Sequence, residues 1–273
     1  MNNSIRSGLD MISTINEIRL SLPADRQKVF VILEGTDDIS LFAPLLSDNV
    51  NLYESYSGKQ GLENIVHNHF LNVYRVIGIR DKDYQATPIC SQIFYCDYCC
   101  AEMMIMSSIE CFERFCTSCR VFKSDYGSFR GEILKNHNKI VFLSCARKLN
   151  EEQNWGVRFD GIKPNKLFDD NLTIFEGNIL SEINNQNPNN VIDAQRQHQI
   201  CNEMLFHVSE DDLLNITNGH DFMDLFLHYL PNESKINKKT VACIANSSFS
   251  VEAFNKTILF GELKNYSALH NVE

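Results

Sequence analysis

The amino-acid sequence predicts an α/β fold, with a mostly parallel sheet flanked by helices and a mostly helical C-terminal portion after it. Short apolar runs alternate with amphipathic segments in the first half, which is the pattern of strand–helix–strand units. Acidic residues follow several of these runs, at the position where open α/β sheets bind ligands. Strand-like runs are much rarer in the second half of the chain. These three observations set the fold class.

The first half reads as a regular series of elements. Residues 29–33, Val-Phe-Val-Ile-Leu, form a buried strand, and the acids that follow at 37 and 38 favour a helix N-terminus. The predicted series is helix 4–20, strand 29–33, a helix from 37, strand 51–56, helix 61–70, strand 74–79, strand 92–95 and helix 101–115. This order predicts parallel strands with covering helices.

The second half carries weaker signals. An asparagine-rich stretch at 184–190 predicts a loop, and helical patterns fit 190–206, 221–229 and about 250–256. We therefore predict two regions, an α/β domain over 1–125 and a mainly helical region over 126–273 that packs on it.

Composition limits the function classes. The chain has 273 residues and a formal charge of −10, which argues against a nucleic-acid binder held by a basic surface all round. Residues 113–166 are the exception, with 11 Lys and Arg against 6 Asp and Glu. The polar amphipathic start is not a signal peptide, and no apolar run approaches the roughly 18–20 residues of a membrane span. A cytoplasmic protein is expected.

Carboxylates at strand ends carry the clearest chemistry. Glu34 follows the first strand, and Asp81 and Asp83 follow the third. Carboxyl ends of parallel strands meet at one edge of a sheet, so these groups can converge on one hard cation, Mg²⁺ or Mn²⁺. Such a site serves phosphoryl transfer by neutralising charge and positioning a nucleophile.

The same residues form a pattern that resembles a known family. Its parts are Leu-Glu-Gly-Thr-Asp at 33–37, Ser-Gly-Lys-x-x-Leu at 57–62 and Ile-Gly-Ile-Arg-Asp-Lys-Asp at 77–83. This order is similar to the Toprim domain of topoisomerases, primases and OLD-type nucleases. More narrowly, it resembles the Toprim-like family that includes AriB, the toxin subunit of the PARIS anti-phage system. Asp97 with Glu102, and Asn-Gly-His-Asp at 218–221, also match that family.

The resemblance implies a role for each residue. Glu34 would be a metal ligand or general base, and Asp81 and Asp83 would hold the metal. Asp37 and Glu102 would complete the acidic cluster, Asp37 as a metal ligand and Glu102 as a catalytic residue. Lys59 would contact a phosphate and is included among the catalytic residues. The expected nucleic-acid contacts are Lys59, Lys82, Arg120 and Lys123.

The resemblance also implies a function and partners. It implies a Mg-dependent endoribonuclease toxin of an anti-phage system, which cleaves tRNA after release from a partner ABC-type ATPase. A phage-encoded trigger would act through that ATPase, and a homodimer is compatible with the active state. The chain has no Walker-type phosphate-binding motif of its own.

Two alternatives stay open. One is an OLD-like Toprim nuclease that cleaves DNA. The other is a catalytically silent interaction module, which could contain zinc. Cys96 and Cys99 are separated by 16 residues from Cys116 and Cys119, which is a spacing typical of zinc ribbons. A helix between the two pairs would keep them apart, so we expect cysteines of the core instead.

Overall fold

The computed structural model describes residues 4–137, 141–159, 161–162, 176–231 and 236–270. Part of the basic stretch of the sequence, at 138–140, 160 and 163–166, lies outside these residues. None of the described helices combines the length and the apolar character that a membrane span requires.

Among the described residues, the strands all lie within the first hundred residues of the chain. In chain order they are α1 (Ser4–Ala24), β1 (Val29–Leu33), α2 (Thr36–Phe42), β2 (Val50–Glu54), α3 (Gly58–Glu63), β3 (Val76–Arg80), β4 (Ile93–Tyr95), α4 (Ala101–Ser107), α5 (Ile109–Ser118), α6 (Tyr126–His137), α7 (Val141–Gln153), α8 (Glu176–Gln186), α9 (Ala194–Met204), α10 (Glu210–Ile216), α11 (Gly219–Phe226), α12 (Lys238–Ser248), α13 (Val251–Phe254) and α14 (Ile258–His270). A π-helical turn, Asn64–His69, extends α3.

The predicted α/β class is confirmed. Four parallel strands form one sheet in the order β2-β1-β3-β4, and a helical part follows in the chain. All five residues of β1 and of β3 are buried, as expected for strands covered on both faces. Ile32 lies opposite Gly78 and Arg80 opposite Tyr95, so the carboxyl ends of β1, β3 and β4 lie at the same edge.

Apolar packing against the sheet fixes these strands. One cluster joins α1, the region of α3 and three strands, and its buried members are Ile15, Ile18, Phe30, Ile32, Leu62, Ile65, Val66, Phe70, Val76 and Ile93. Gly78 permits a close approach here, because a Cβ at this position would lie 2.6 Å from Leu62 Cδ2. Burial of each large apolar side chain stabilises the fold by roughly 1.5–3 kcal/mol relative to leaving that side chain exposed to water.

The compact units of the structure have different bounds from the two regions predicted at 1–125 and 126–273. One unit contains residues 1–97 and 249–273, and the other contains 98–248. The C-terminal segment belongs to the first unit because α14 packs on β4, where the rings of Phe94 and Tyr266 meet edge to face with centroids 5.3 Å apart. Residues 98–125 contain α4 and α5, which pack within the helical unit.

The predicted helix 101–115 is two helices. Ser108 separates α4 from α5, and its side chain accepts a hydrogen bond from the backbone N–H of Cys111 at 3.3 Å. Serine is a preferred N-cap because its oxygen satisfies an N–H that has no partner within the helix. A local cap therefore interrupts an apolar pattern that is otherwise continuous.

Candidate metal centre

Glu34 and Asp81 lie side by side at the carboxyl edge of the sheet. Glu34 follows β1 directly and Asp81 follows β3, and these two strands are neighbours. The backbone N–H of Asp81 donates a hydrogen bond to Glu34 Oε1 at 3.2 Å. The structure thus brings together two of the acids that the sequence predicts to share a cation.

The carboxyl group of Glu34 is held in an environment that disfavours its charge. The pKa of Glu34 is raised to about 7, first by burial and then by the nearby charges of Asp83 and Asp38. The guanidinium of Arg80 and the backbone N–H of Asp81 act in the opposite direction. A cation placed beside this carboxylate would compensate for the lost solvation.

Arg80 is the residue of the site that the sequence analysis did not assign. It is the last residue of β3, and its side chain is fully buried. The guanidinium forms ion pairs with Glu63 and with Asp83, the latter at 3.3 Å from Nη2, and its Nε lies 3.7 Å from Glu34 Oε1. The buried guanidinium of Arg80 therefore orients several carboxylates. It packs over the Tyr95 ring, with Cζ 5.3 Å from the ring centroid, and this contact holds it in place.

Lys59 lies in the first turn of α3, which approaches the same acids. Its Nζ is 3.3 Å from Asp83 Oδ2. The Ser55 hydroxyl donates to the carbonyl of Gly58 at 2.8 Å, which ties the start of α3 to the end of β2. Gly58 has φ +57, and a Cβ there would lie 3.9 Å from Glu34 Oε2. A glycine at this point fits both the left-handed backbone and the close approach to the carboxylate.

The two acids of α2 have different surroundings. Asp38 accepts a hydrogen bond from the backbone N–H of Gly35 at 3.0 Å, which caps the start of α2. Asp37 is exposed in the same first turn. The metal-ligand role that the sequence predicts for Asp37 stays a prediction. Lys82, between Asp81 and Asp83 in the chain, is partly buried, and its predicted contact with nucleic acid also stays a prediction.

The donor set fits a hard divalent cation. Glu34, Asp81 and Asp83 offer carboxylate oxygens, the ligands that Mg²⁺ and Mn²⁺ prefer. Arg80 and Lys59 supply two positive charges against these three carboxylates, and Glu63 adds a further negative charge. Among the described residues these three carboxylates do not gather as ready ligands around one point. Mg²⁺ bound at this edge would therefore be held by one or two of them and would keep several waters.

Asp97 has a structural role in the first unit. Its carboxylate accepts hydrogen bonds from the backbone N–H groups of Ile258 at 2.8 Å and Leu259 at 2.9 Å. These are the first two residues of α14, so Asp97 caps that helix. The acid that the family resemblance pairs with Glu102 thus fixes the C-terminal segment against the strand end.

Glu102 belongs to the second unit, on α4. There its carboxylate occupies the space beside Gly219, where a Cβ would overlap it and would lie 2.9 Å from Cys100 Sγ. Gly219 is the first residue of α11, whose N-cap is Asn218. The Asn-Gly-His-Asp element therefore gives room to Glu102 within its own unit. The catalytic role of Glu102 stays a prediction.

The remaining two basic candidates are exposed in the second unit. Arg120 follows α5 with φ +63, and Lys123 lies three residues further on. Lys123 Nζ lies 4.3 Å from the centroid of the Phe129 ring. Both side chains are accessible, and their contact with nucleic acid stays a prediction.

The four cysteines with ribbon-like spacing are buried free thiols. Burial raises the pKa of Cys116 to about 12 and that of Cys119 to about 11, so these thiols stay protonated. Among the residues that the structure describes, Cys99, Cys116 and Cys119 do not gather as ligands of one ion. This geometry favours packing over zinc binding for these three.

Comparisons of the chain with protein-family models, with curated proteins and with solved structures give no match. The resemblance to Toprim-like nucleases therefore rests on the motifs alone.

Proposed function

We propose that this protein is a metal-dependent nuclease that hydrolyses phosphodiester bonds with Mg²⁺ or Mn²⁺. The observation that carries the proposal is the convergence of Glu34 and Asp81 at the ends of neighbouring parallel strands, joined by a hydrogen bond of 3.2 Å. Asp83 and Lys59 lie at the same edge, in contact with each other. This is the edge where parallel α/β sheets place their chemistry.

Each residue has a part that follows from its surroundings. Mg²⁺, when bound, supplies positive charge beside the scissile phosphate. Glu34 and the two aspartates hold that charge in place, and Glu34 can also accept a proton from the attacking hydroxyl or water. Lys59 is available to a phosphate oxygen at the exposed side of its pair with Asp83. Arg80, fully buried, positions the acids and does not reach a substrate.

The finer function rests on the family resemblance. We propose an endoribonuclease toxin of a bacterial anti-phage system, active in the cytoplasm, that cleaves tRNA and so stops translation. Its partner would be an ABC-type ATPase that restrains it until a phage-encoded trigger acts. An acidic protein suits this arrangement, because a formal charge of −10 weakens unspecific binding to nucleic acid.

Cleavage assays with two substrates test the proposal. End-labelled tRNA and supercoiled plasmid are incubated with the purified chain in Mg²⁺, in Mn²⁺ and in EDTA. We expect metal-dependent cleavage of tRNA and an intact plasmid. Cleavage of the plasmid would favour the OLD-like alternative. The absence of cleavage of either substrate in both metals would contradict the nuclease and favour the interaction module.

A further inference from the structure

The second unit contains a cavity of about 550 Å³. Its polar lining comes from α7, the start of α11 and α12, and Phe159 and Ile162 add apolar surface. The charged and aromatic side chains of the lining include Arg147, Phe159, Asp221, Asp224 and Lys238. This volume lies within the range of about 300–1,000 Å³ that is typical of small-molecule sites.

A buried ion pair with unused hydrogen-bonding capacity lies at this cavity. Arg147 Nη2 donates to Asp221 Oδ1 at 3.2 Å, and the side chain of Asp221 is only 3% exposed. Arg147 Nε and Asp221 Oδ2 are both buried and have no hydrogen-bond partner. A buried donor or acceptor without a hydrogen-bond partner is unfavourable, so a ligand that satisfied both atoms would be stabilised in the cavity. Arg147 and Asp221 both line the cavity, so these two atoms beneath its surface are the ones that a ligand could satisfy.

The charges around the cavity cancel. Lys238 Nζ pairs with Asp224 Oδ2 at 2.9 Å, and Arg147 pairs with Asp221. Burial raises the pKa of Asp221, while Arg147 lowers it and Asp224 raises it further. His220 is exposed at the cavity and is the remaining titratable group of its lining. Two cations facing two acids favour a ligand without net charge over a phosphate or an acidic peptide.

An aromatic surface completes the lining. Arg147 Cζ lies 5.5 Å from the centroid of the Phe159 ring, so the guanidinium and the ring face each other. Ile162 and Leu227 add aliphatic surface. Flat rings bind to such surfaces by stacking, and each stacked base contributes enough to change affinity by about tenfold or more.

We propose that this cavity binds a nucleobase, with Arg147 donating to a carbonyl oxygen or a ring nitrogen and Asp221 accepting from an amino or imino N–H. A base is neutral and planar and carries a donor and an acceptor on one edge, which matches the pair. Both protein atoms are closed to water, so the base reaches them when the two side chains rotate. The base comes from a free nucleoside or from a nucleic-acid strand, and the second source rests on the proposed nuclease function.

Binding is measured without cleavage, so that it is independent of the metal centre. Guanosine, adenosine, cytidine and uridine, and short single-stranded oligoribonucleotides, are titrated into the full chain in EDTA by calorimetry and by saturation-transfer NMR. The variants are Phe159→Leu and Asp221→Asn. Phe206→Leu is the matched control, because Phe206 is 72% exposed in the same unit and does not line the cavity.

We expect saturable binding of at least one nucleoside, a loss of about tenfold or more in Phe159→Leu, and unchanged affinity in Phe206→Leu. Asp221→Asn changes the order of preference among the four bases, and Phe159→Leu keeps the test valid should the buried substitution prevent folding.

Competition between nucleoside and oligonucleotide indicates a base of a strand, and nucleoside binding alone indicates a free ligand. Absence of saturable binding, or equal affinities of the two leucine variants, would overturn the inference. A cleavage-negative protein that still binds nucleosides would contradict only the nuclease.

Discussion

The backbone N–H of Asp81 donates a hydrogen bond to the Oε1 atom of Glu34 at 3.2 Å, across the ends of two neighbouring parallel strands. This contact joins Glu34, the residue directly after β1, to the Asp-Lys-Asp segment that follows β3. Glu34 and Asp81 each come directly after a buried strand, and the two strands are neighbours in one sheet. The packed core therefore sets the relative position of the two acids.

Replacing Glu34 by glutamine tests its chemical role. The amide keeps the size of the side chain but can neither hold a cation well nor accept a proton, so we expect cleavage to fall by about 10²-fold or more. Asp48→Asn is the matched control, because Asp48 is an exposed acid before β2, at the opposite end of that strand. Initial rates on labelled tRNA measure the effect. Equal rates for Glu34→Gln and Asp48→Asn would show that Glu34 is not catalytic.

The metal-free protein should lose stability as the pH rises towards 8. The pKa of Glu34 is about 7 in the folded chain against 4.5 as its ordinary value, so the folded state binds this proton more tightly. The resulting stabilisation is complete below pH 4.5 and is lost as the pH rises through 7, a change of about 3 kcal/mol.

Urea unfolding in EDTA at a series of pH values measures this. The wild-type chain should lose stability relative to Glu34→Gln between pH 5 and pH 8, by up to about 3 kcal/mol. Mg²⁺ should restore the wild-type chain at pH 8 and leave the variant unchanged. Parallel pH profiles of the two proteins would contradict the account of the buried carboxyl.

Arg80→Met should destabilise the first unit strongly. Removal of the guanidinium leaves the carboxylates of Glu34, Glu63 and Asp83 without their shared cation, and breaking a buried pair in this way costs about 3–5 kcal/mol. Arg26→Met at an exposed position is the control, with an expected change within about 0.5 kcal/mol. Thermal unfolding compares the two variants. Similar small losses in both would show that Arg80 does not organise the acids.

A pair of glycines tests the packing of Glu102. In Gly219→Ala the new methyl group meets the carboxylate of Glu102 and Cys100 Sγ, so we expect a loss of about 1–3 kcal/mol. Gly131→Ala, within α6 and with no atom within 4 Å of the added Cβ, should instead gain about 0.5–1 kcal/mol. Opposite signs in chemical unfolding are the expected result. A stabilised Gly219→Ala would show that this space is not restricted.

Thiol reactivity distinguishes core cysteines from a zinc site. Cys243 is exposed and should react at once with a disulfide reagent, whereas Cys116 and Cys119 are buried with pKa values of about 12 and 11 and should react only on unfolding. Cys243→Ser should remove the fast phase. If a chelator released stoichiometric zinc and made the buried thiols reactive, the zinc-containing module would regain support.

The local pattern of apolar residues was enough to predict the strands of the sheet. The run at 29–33 is a strand with exactly the predicted bounds, since β-branched and apolar residues in a short buried run leave little choice. Predicted strands 51–56 and 74–79 are shifted by one or two residues, as Val50–Glu54 and Val76–Arg80. Strand ends are set by hydrogen bonds to neighbours, which the sequence does not display.

Non-local contacts account for what the sequence did not predict. One partner of Arg80 is Glu63, 17 residues earlier, and no sequence pattern between the two residues indicates an ion pair. Asp97 reads as a strand-end acid, but its hydrogen bonds go to Ile258, 161 residues later. These hydrogen bonds join α14 to the end of β4 within the first unit, which no local pattern indicates. Local periodicity identifies elements, whereas the site and the unit bounds depend on which elements meet.

Calorimetric titration of Mg²⁺ into the metal-free protein tests the metal centre itself, because it needs no substrate and no partner. The wild-type chain and Asp48→Asn should bind Mg²⁺ saturably, and Glu34→Gln and Asp81→Asn should lose this binding while remaining folded. Saturable binding of equal strength in all four proteins, or none in the wild-type chain, would contradict a metal centre formed by Glu34 and Asp81.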